Sequence, residues 1–310
     1  MQDLIIIAGP TAVGKSALSI ELAKKIGGSI ISADSMQVYR GMDIGTAKLS
    51  REEMQGIPHY LIDVLDPSED FSIFRFKEMA GAAIEEIASS GRIPIIVGGT
   101  GFYIQSVLYD IDFDESEEMN EYRESLQKLI DEKGAAYVHK MLEEADPKAA
   151  ERIHMNDHKR MIRALEYSAQ TGGMISEHNE MSSKRTSPYN FCYFVLVDDR
   201  AEIYERINTR VDMMIEAGLE GEVRKLLESG LTPDNISMQG IGYKEMIPYV
   251  MGQCSLEDAV YNMKLNTRHF AKRQLTWYRR ERDVVPVDVG ASDPFGEMMK
   301  ELKRKGIVND

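Results

Sequence analysis

The chain has 310 residues, 43% of them hydrophobic and 28% charged, a globular composition that suits one large domain or two ordinary ones and excludes a mainly disordered chain. Its net charge of −14, from 37 basic and 51 acidic residues, argues against non-selective coating of nucleic acid but leaves room for a local basic groove. Two cysteines, Cys192 and Cys254, rule out a disulfide framework and a four-cysteine zinc site, and no apolar run reaches the roughly 18–20 residues that span a bilayer.

In chain order, the first segment, MQDLIIIAGP, is too short and too lightly charged for a signal peptide, so a cytoplasmic protein is expected. Leu4–Ala8 predicts a buried strand, followed by a glycine-rich turn and a helix from Lys15 to Ile26. Ser29–Ser32 predicts a second strand. Phe76, Met79, Ala80, Ala83, Ile84 and Ile87 form one stripe of a helix over Ile73–Ser90, which Gly91 ends. Ile93–Val97 is a continuous apolar strand. Such alternation implies a parallel sheet covered on both faces.

The character changes at the acidic stretch Asp112–Glu118. From Asn120 to Thr171 the pattern is helical, with breaks at Gly134 and Pro147, and Ser182–Pro188 is a polar loop. A strand resumes at Phe191–Val197. The expected organisation is an α/β core of P-loop NTPase type over 1–112 and 190–310, carrying a helical insertion over 113–189. The last third is helical, with a late strand at Val284–Val287 and a final helix over Pro294–Lys305.

The run Gly9, Pro10, Thr11, Ala12, Val13, Gly14, Lys15, Ser16 fits G-x-x-x-x-G-K-[ST] and stands between a strand and a helix, the context that gives the motif meaning. Its backbone N–H groups and the helix N-terminus favour phosphate oxygens. Lys15 supplies a mobile charge and Ser16 a hydroxyl for Mg²⁺. The ligand is therefore expected to contain a pyrophosphate, nucleotide or not. An ordinary NTPase needs a further carboxylate at the end of an apolar strand. The strand Ile93–Val97 runs instead into Gly98-Gly-Thr-Gly101.

Asp34 follows the second strand, at the end where open parallel sheets hold ligands. It is either a general base or Mg²⁺ partner, or a turn cap. The stretch from Met36 to Lys48 is polar and glycine-rich, a binding loop. In the helical block, His154, His158, Lys159, Arg160 and Arg163 cluster against one acid, Asp157. Lys159 and Arg163 share a helix face, which is either an RNA contact or a solvated surface. Further on, Leu256, Val260, Met263, Thr267, Phe270, Ala271 and Gln274 form a mostly apolar stripe. Lys264, Arg268, Lys272 and Arg280 lie on an adjacent row, with Arg273, Arg279 and Arg282 beside it. Trp277 sits among these charges, as a stacking platform or a core anchor.

The segments GPTAVGKS, ISADSMQVYRGMDIGTAK, PHYLIDVLDP, PIIVGGTGFYIQSVLY, NDHKRMIRALE, SMQGIGYKE and AKRQLTWYR together resemble the tRNA dimethylallyltransferase (tRNA isopentenyltransferase) family, in its compact form without a zinc finger. These motifs span Gly9 to Arg279. The resemblance implies transfer of a dimethylallyl group from dimethylallyl diphosphate to N6 of the adenosine 3′ to the tRNA anticodon, with Mg²⁺ assisting. It implies that Asp34 is the base and that Thr11, Lys15 and Thr100 act in the reaction channel. Gly9–Ser16 and Arg210 would hold the diphosphate; the competing reading for Arg206 and Arg210 is pairing with Glu202 or Glu205 on the same helix. The tRNA would be contacted by Asp34, Ser35, Met36, Gln37, Thr100, Arg123, Lys159, Arg160, Arg163 and Gln239, and by Lys272, Arg273, Gln274, Trp277 and Arg279. Gln37 suits an adenine edge. A monomer without membrane attachment is expected. The competing readings are a small-molecule P-loop kinase, a nucleotide-switched RNA-binding module, and a prenyltransferase acting on free AMP or ATP.

Overall fold

A computed structural model of the chain describes residues 1–111, 117–177 and 186–309. These form two compact units, one of Met1–Asp110 with Pro188–Asp310 and one of Ile111–Ser187. The acidic stretch at Asp112–Glu118 and the polar loop at Ser182–Pro188 fall largely outside the described residues.

The larger unit is built on six parallel strands: β1 (Gln2–Ala8), β2 (Gly28–Ala33), β3 (His59–Tyr60), β4 (Ile93–Gly98), β5 (Tyr189–Val197) and β6 (Val284–Asp288). Their order is β3-β2-β4-β1-β5-β6. β1 is central, pairing Ile5 with Ile95 on one side and with Cys192 on the other. Leu4 to Ala8 are fully buried, which is why the sequence there is apolar on consecutive residues and not alternating. Helices α1 (Lys15–Ile26), α2 (Ile73–Ser89) and α3 (Gly101–Leu108) follow β1, β3 and β4. α2 begins where Ser72 Oγ accepts from Arg75 N, and it buries the predicted stripe Phe76, Ala80, Ala83, Ile84 and Ile87. α1 ends on Gly27 in the left-handed conformation that glycine adopts without penalty.

The smaller unit holds α4 (Glu117–Lys133), α5 (Ala135–Ala145), α6 (Pro147–Arg152) and α7 (His158–Thr171). Its core joins Leu126, Ile130, Val138, Leu142, Met161, Ala164 and Leu165. The expected breaks at Gly134 and Pro147 occur. A third, over 153–157, was not foreseen. There Ile153 is extended and the Asp157 carboxylate caps α7 by accepting from Arg160 N. Asp146 caps α6 and is fully buried, accepting also from Ser176 N at 2.8 Å and Ser176 Oγ at 2.7 Å.

The last third of the chain returns to the larger unit with α8 (Arg200–Glu216), α9 (Leu219–Glu228), α10 (Tyr243–Val250), α11 (Leu256–Tyr278) and α12 (Pro294–Arg304). α11 starts with a capping box between Ser255 and Asp258. Among the described residues no helix is long and apolar enough to cross a membrane.

Candidate active site

Gly98 at the end of β4 is in register with Ala8 of β1 on one side and Ala33 of β2 on the other. Three loops therefore leave the carboxyl edge of the sheet side by side: residues 9–16, 34–37 and 99–100. This edge is where open parallel sheets hold ligands.

The first loop curls because Gly9 (φ 148°), Ala12 (φ 63°) and Gly14 (φ 99°) all take positive φ. A Cβ on Gly9 would lie 2.8 Å from Leu196 O, so this position demands glycine sterically as well. Lys15 Nζ donates to Gly9 O at 3.0 Å and Pro10 O at 2.8 Å. Burial, and then the nearby Arg210 guanidinium, push the Lys15 ammonium down to about 7, with Asp34 opposing. Burial and the neighbouring Arg206 also lower Arg210. Cations crowded and desolvated in this way favour an anion that would neutralise them. Ser16 stands exposed at the first turn of α1, and among the described residues its hydroxyl has no hydrogen-bond partner.

The second loop carries Asp34. Its Oδ1 accepts from Met36 N at 2.9 Å and Gln37 N at 3.4 Å, so the carboxylate caps a turn. Among the described residues its Oδ2 has no hydrogen-bond partner. Asp34 lines a cavity of about 310 Å³ together with Thr11, Ser35, Met36, Thr100, Arg210, Gln239, Arg273 and Gln274. One wall is apolar, made by Ile207, Val211, Met214, Met263 and Phe270. Gly45, Thr46 and Ala47 form another. No group of three or more metal-ligating His, Cys, Asp or Glu side chains occurs among the described residues.

Several expected contacts are spent inside the protein. Gln274 is buried; its Oε1 accepts from Thr11 N at 2.8 Å and its Nε2 donates to Gly99 O at 2.9 Å. A Cβ on Gly99 would lie 2.1 Å from that nitrogen. Gln274 thus fastens α11 to two of the three loops, with both ends of its amide engaged inside the protein. Gln37 likewise accepts from Ser32 Oγ at 3.1 Å and donates to Thr46 O at 3.2 Å, so both ends of its amide are engaged in the loop. Arg206 pairs with Asp198 and donates to Ala12 O at 2.9 Å, not with Glu202 or Glu205, because α8 turns this face toward the phosphate loop. On α11, Lys264 pairs with Asp212 and Arg268 donates to Asn208, while Lys272, Arg273 and Arg279 are exposed. Trp277 packs edge-on against Phe102, its ring centroid 6.3 Å away, so it serves at least as an anchor. In the helical unit Arg123 Nε lies 2.7 Å from Glu166 Oε1 and Arg160 pairs with Asp157, while Lys159 and Arg163 are exposed on α7.

The sequence pattern did not mark Glu222 or Met214, and it marked Thr46 only as part of the 36–48 loop. Glu222 carries no motif, and its position at the cavity loop comes only from the tertiary fold.

A parallel α/β sheet with a phosphate loop on its central strand, and a cavity joining that loop to a carboxylate and an apolar wall, defines a P-loop-type transferase core. The family model for IPP transferase matches residues 37–281 and that for isopentenyl transferase residues 2–69. The chain belongs to the IPP transferase family. It is 57% identical to the tRNA dimethylallyltransferase of Lachnoclostridium phytofermentans, covering 99% of this chain and 100% of that one. It is 49% identical to the enzyme of the same name from Bacillus cytotoxicus, covering 98% and 96%. The crystal structure of the full-length tRNA isopentenylpyrophosphate transferase from Bacillus halodurans matches with a TM-score of 0.74 at 43% identity, over 98% of this chain and 97% of that one. A eukaryotic dimethylallyltransferase acting on tRNA matches with a TM-score of 0.82 at 32% identity, over 99% and 80%.

Proposed function

We propose that this chain transfers a dimethylallyl group from dimethylallyl diphosphate to N6 of the adenosine next to the 3′ side of a tRNA anticodon, releasing diphosphate. The observation that carries this reading is one cavity that meets the phosphate loop at Thr11 and is lined by the Asp34 carboxylate and an apolar wall.

The diphosphate sits on the backbone N–H groups of Gly9–Ser16, with Lys15 and Arg210 facing its charge. Lys15 exchanges its two loop carbonyls for phosphate oxygens. The dimethylallyl tail lies against Val211, Met263 and Phe270. N6 attacks C1 of the allyl group as the C1–O bond breaks, and the electron pair leaves with the diphosphate. Asp34 Oδ2 accepts the N6 proton, giving a neutral secondary amine. Thr11 and Thr100 orient the reacting groups. A magnesium ion, when bound, offsets charge on the leaving diphosphate. Ser16 Oγ, exposed and unpaired, and the Asp34 carboxylate suit an ion that keeps most of its waters.

To reach Asp34 the adenosine must leave its stack. Ser35, Met36 and Gln239 border the space for it. Gln37 and Gln274 act here by holding the walls. The exposed Lys272, Arg273 and Arg279, with Trp277 beside them, suit the anticodon loop. Arg123, Lys159, Arg160 and Arg163 of the helical unit suit its backbone. We place the enzyme in the cytoplasm as a monomer, where its two free thiols stay reduced.

The test incubates the protein with Mg²⁺, labelled dimethylallyl diphosphate and unmodified tRNA, with AMP and labelled ATP in parallel. Label in tRNA, lost when the adenosine after the anticodon is replaced, is the expected result. Label in AMP, or phosphate transfer from ATP, overturns it.

A further inference from the structure

Glu222, on α9, is remote in sequence from every motif above, yet its carboxylate collects four hydrogen bonds. Oε2 accepts from Asp43 N at 2.9 Å and Ile44 N at 2.8 Å. Oε1 accepts from Gly45 N at 3.0 Å and from Tyr243 Oη at 2.7 Å. Three consecutive backbone N–H groups converging on one carboxylate form a concave anion seat, and bonds to an ionised acceptor are the strong ones. Tyr243 is fully buried, and burial together with the Glu222 carboxylate pushes its hydroxyl well above the ordinary tyrosine range, so it remains a donor. Its ring fills the space beside Gly45, where a Cβ would lie 2.5 Å from the ring carbon Cζ.

The segment so held is the cavity wall Gly45–Ala47. Its remaining ties are few. Gln37 Nε2 donates to Thr46 O, Thr46 Oγ1 donates to Met42 O at 2.6 Å, and Lys48 pairs with Asp43 at 2.7 Å and Asp63 at 2.6 Å. Among the described residues, the hydrogen bonds that tie it to the helices α9 and α10 run through Glu222 and Tyr243. The phosphate loop is fastened separately, by Gln274 and Arg206.

We infer that Glu222 is a positioning residue that, with Tyr243, sets the 43–47 loop as the acceptor-side wall of the cavity and so governs RNA engagement without touching the diphosphate seat. This rests on the proposed transfer to tRNA. Emptying the seat leaves three amides and a buried hydroxyl without their acceptor, and the loop must then move to hydrate them.

The experiment compares wild type with Glu222→Ala, Glu222→Gln and Tyr243→Phe. It measures direct binding of an anticodon stem-loop RNA, direct binding of inorganic diphosphate, and KM and kcat for both substrates. Glu222→Ala should weaken RNA binding and raise the RNA KM about tenfold or more, with diphosphate affinity held within about twofold. Glu222→Gln keeps one oxygen for two of the amides, and Tyr243→Phe removes one bond of the four. Both should shift RNA affinity in the same direction by about two- to fivefold, and they carry the test should the alanine variant not fold. An unchanged RNA affinity in the folded variants, or an equal loss of diphosphate affinity, overturns the inference. RNA binding needs no turnover, so failure of wild type to prenylate tRNA would count against the proposed reaction and not against this anchor.

Discussion

At its phosphate end the cavity meets, through Thr11, the run Gly9–Ser16, which is shaped by its own positive-φ residues and capped by its own lysine. At the acceptor end it is bounded by residues from 34–47, 99–100, 239–242 and 263–274, brought together by Glu222 and Gln274 through bonds between residues far apart in sequence and by Gln37 within the 34–47 segment. The first end is a local motif that many chemistries share. The second decides which acceptor fits, and it depends on the whole larger unit. Substitutions at the two ends should therefore separate: phosphate-end changes alter diphosphate affinity and its pH dependence, and acceptor-end changes alter turnover and RNA use.

The largest expected effect is at Asp34. Asp34→Ala should lower kcat for transfer by about 10²–10⁴ while tRNA affinity stays within a few-fold. Unchanged turnover would remove Asp34 as the base and leave it as the turn cap it also is. Next comes the pH dependence of the phosphate end. Lys15 titrates near 7 in the free protein, and an anion favours its ammonium form. Affinity for inorganic diphosphate should then fall by up to about tenfold per pH unit above 7, with proton uptake seen by calorimetry in buffers of different ionisation heat. A flat profile from pH 7 to 9 would mean that Lys15 is already charged in the free loop.

A smaller change is expected from the helical unit. Neutralising Lys159 and Arg163 together should weaken tRNA binding and reduce the salt slope of log K by about one to two units. A wild-type slope would return α7 to the role of a solvated face. The smallest effect tests neither end of the cavity and serves as a control. Burial pushes the Glu281 carboxyl up to about 7, with the Gln105 amide partly opposing. The unfolded chain releases that proton first, near the ordinary 4.5. The resulting stability is full below 4.5 and is lost as pH rises through 7. Glu281→Gln should therefore melt higher relative to wild type at pH 8 than at pH 5, by about 2–4 °C, without altering RNA or diphosphate affinity.

The same division explains what could be read from the sequence. β1, β2, β4 and β5, the loop Gly9–Ser16 and the stripe of α2 follow from local pattern, because parallel strands buried on both faces are continuous apolar runs and a phosphate loop is a contiguous motif. The two-residue strand β3 has no pattern to detect. The break at 153–157 depends on a single capping aspartate, Asp157. Gln37 and Gln274 were expected at the RNA from the family resemblance of their motifs. Only the fold shows that Thr11, Gly99, Ser32 and Thr46 already use their amides. Glu222 was invisible for the same reason, since its partners are backbone groups of a distant loop.

The position of β1 in the sheet has a consequence for how the molecule is made. This strand precedes both of its neighbours in the chain: β4, its partner on one side, is complete by residue 98, but β5, its partner on the other, begins only at residue 189. At bacterial-like synthesis rates the interval is on the order of ten seconds. Throughout it, the Leu4–Ala8 backbone presents an open edge to which any other extended chain can pair. The segment synthesised meanwhile is the helical unit, so its length sets how long the nascent sheet stays unprotected. Shortening that unit would shorten the exposure, and lengthening it would give chaperones more to cover.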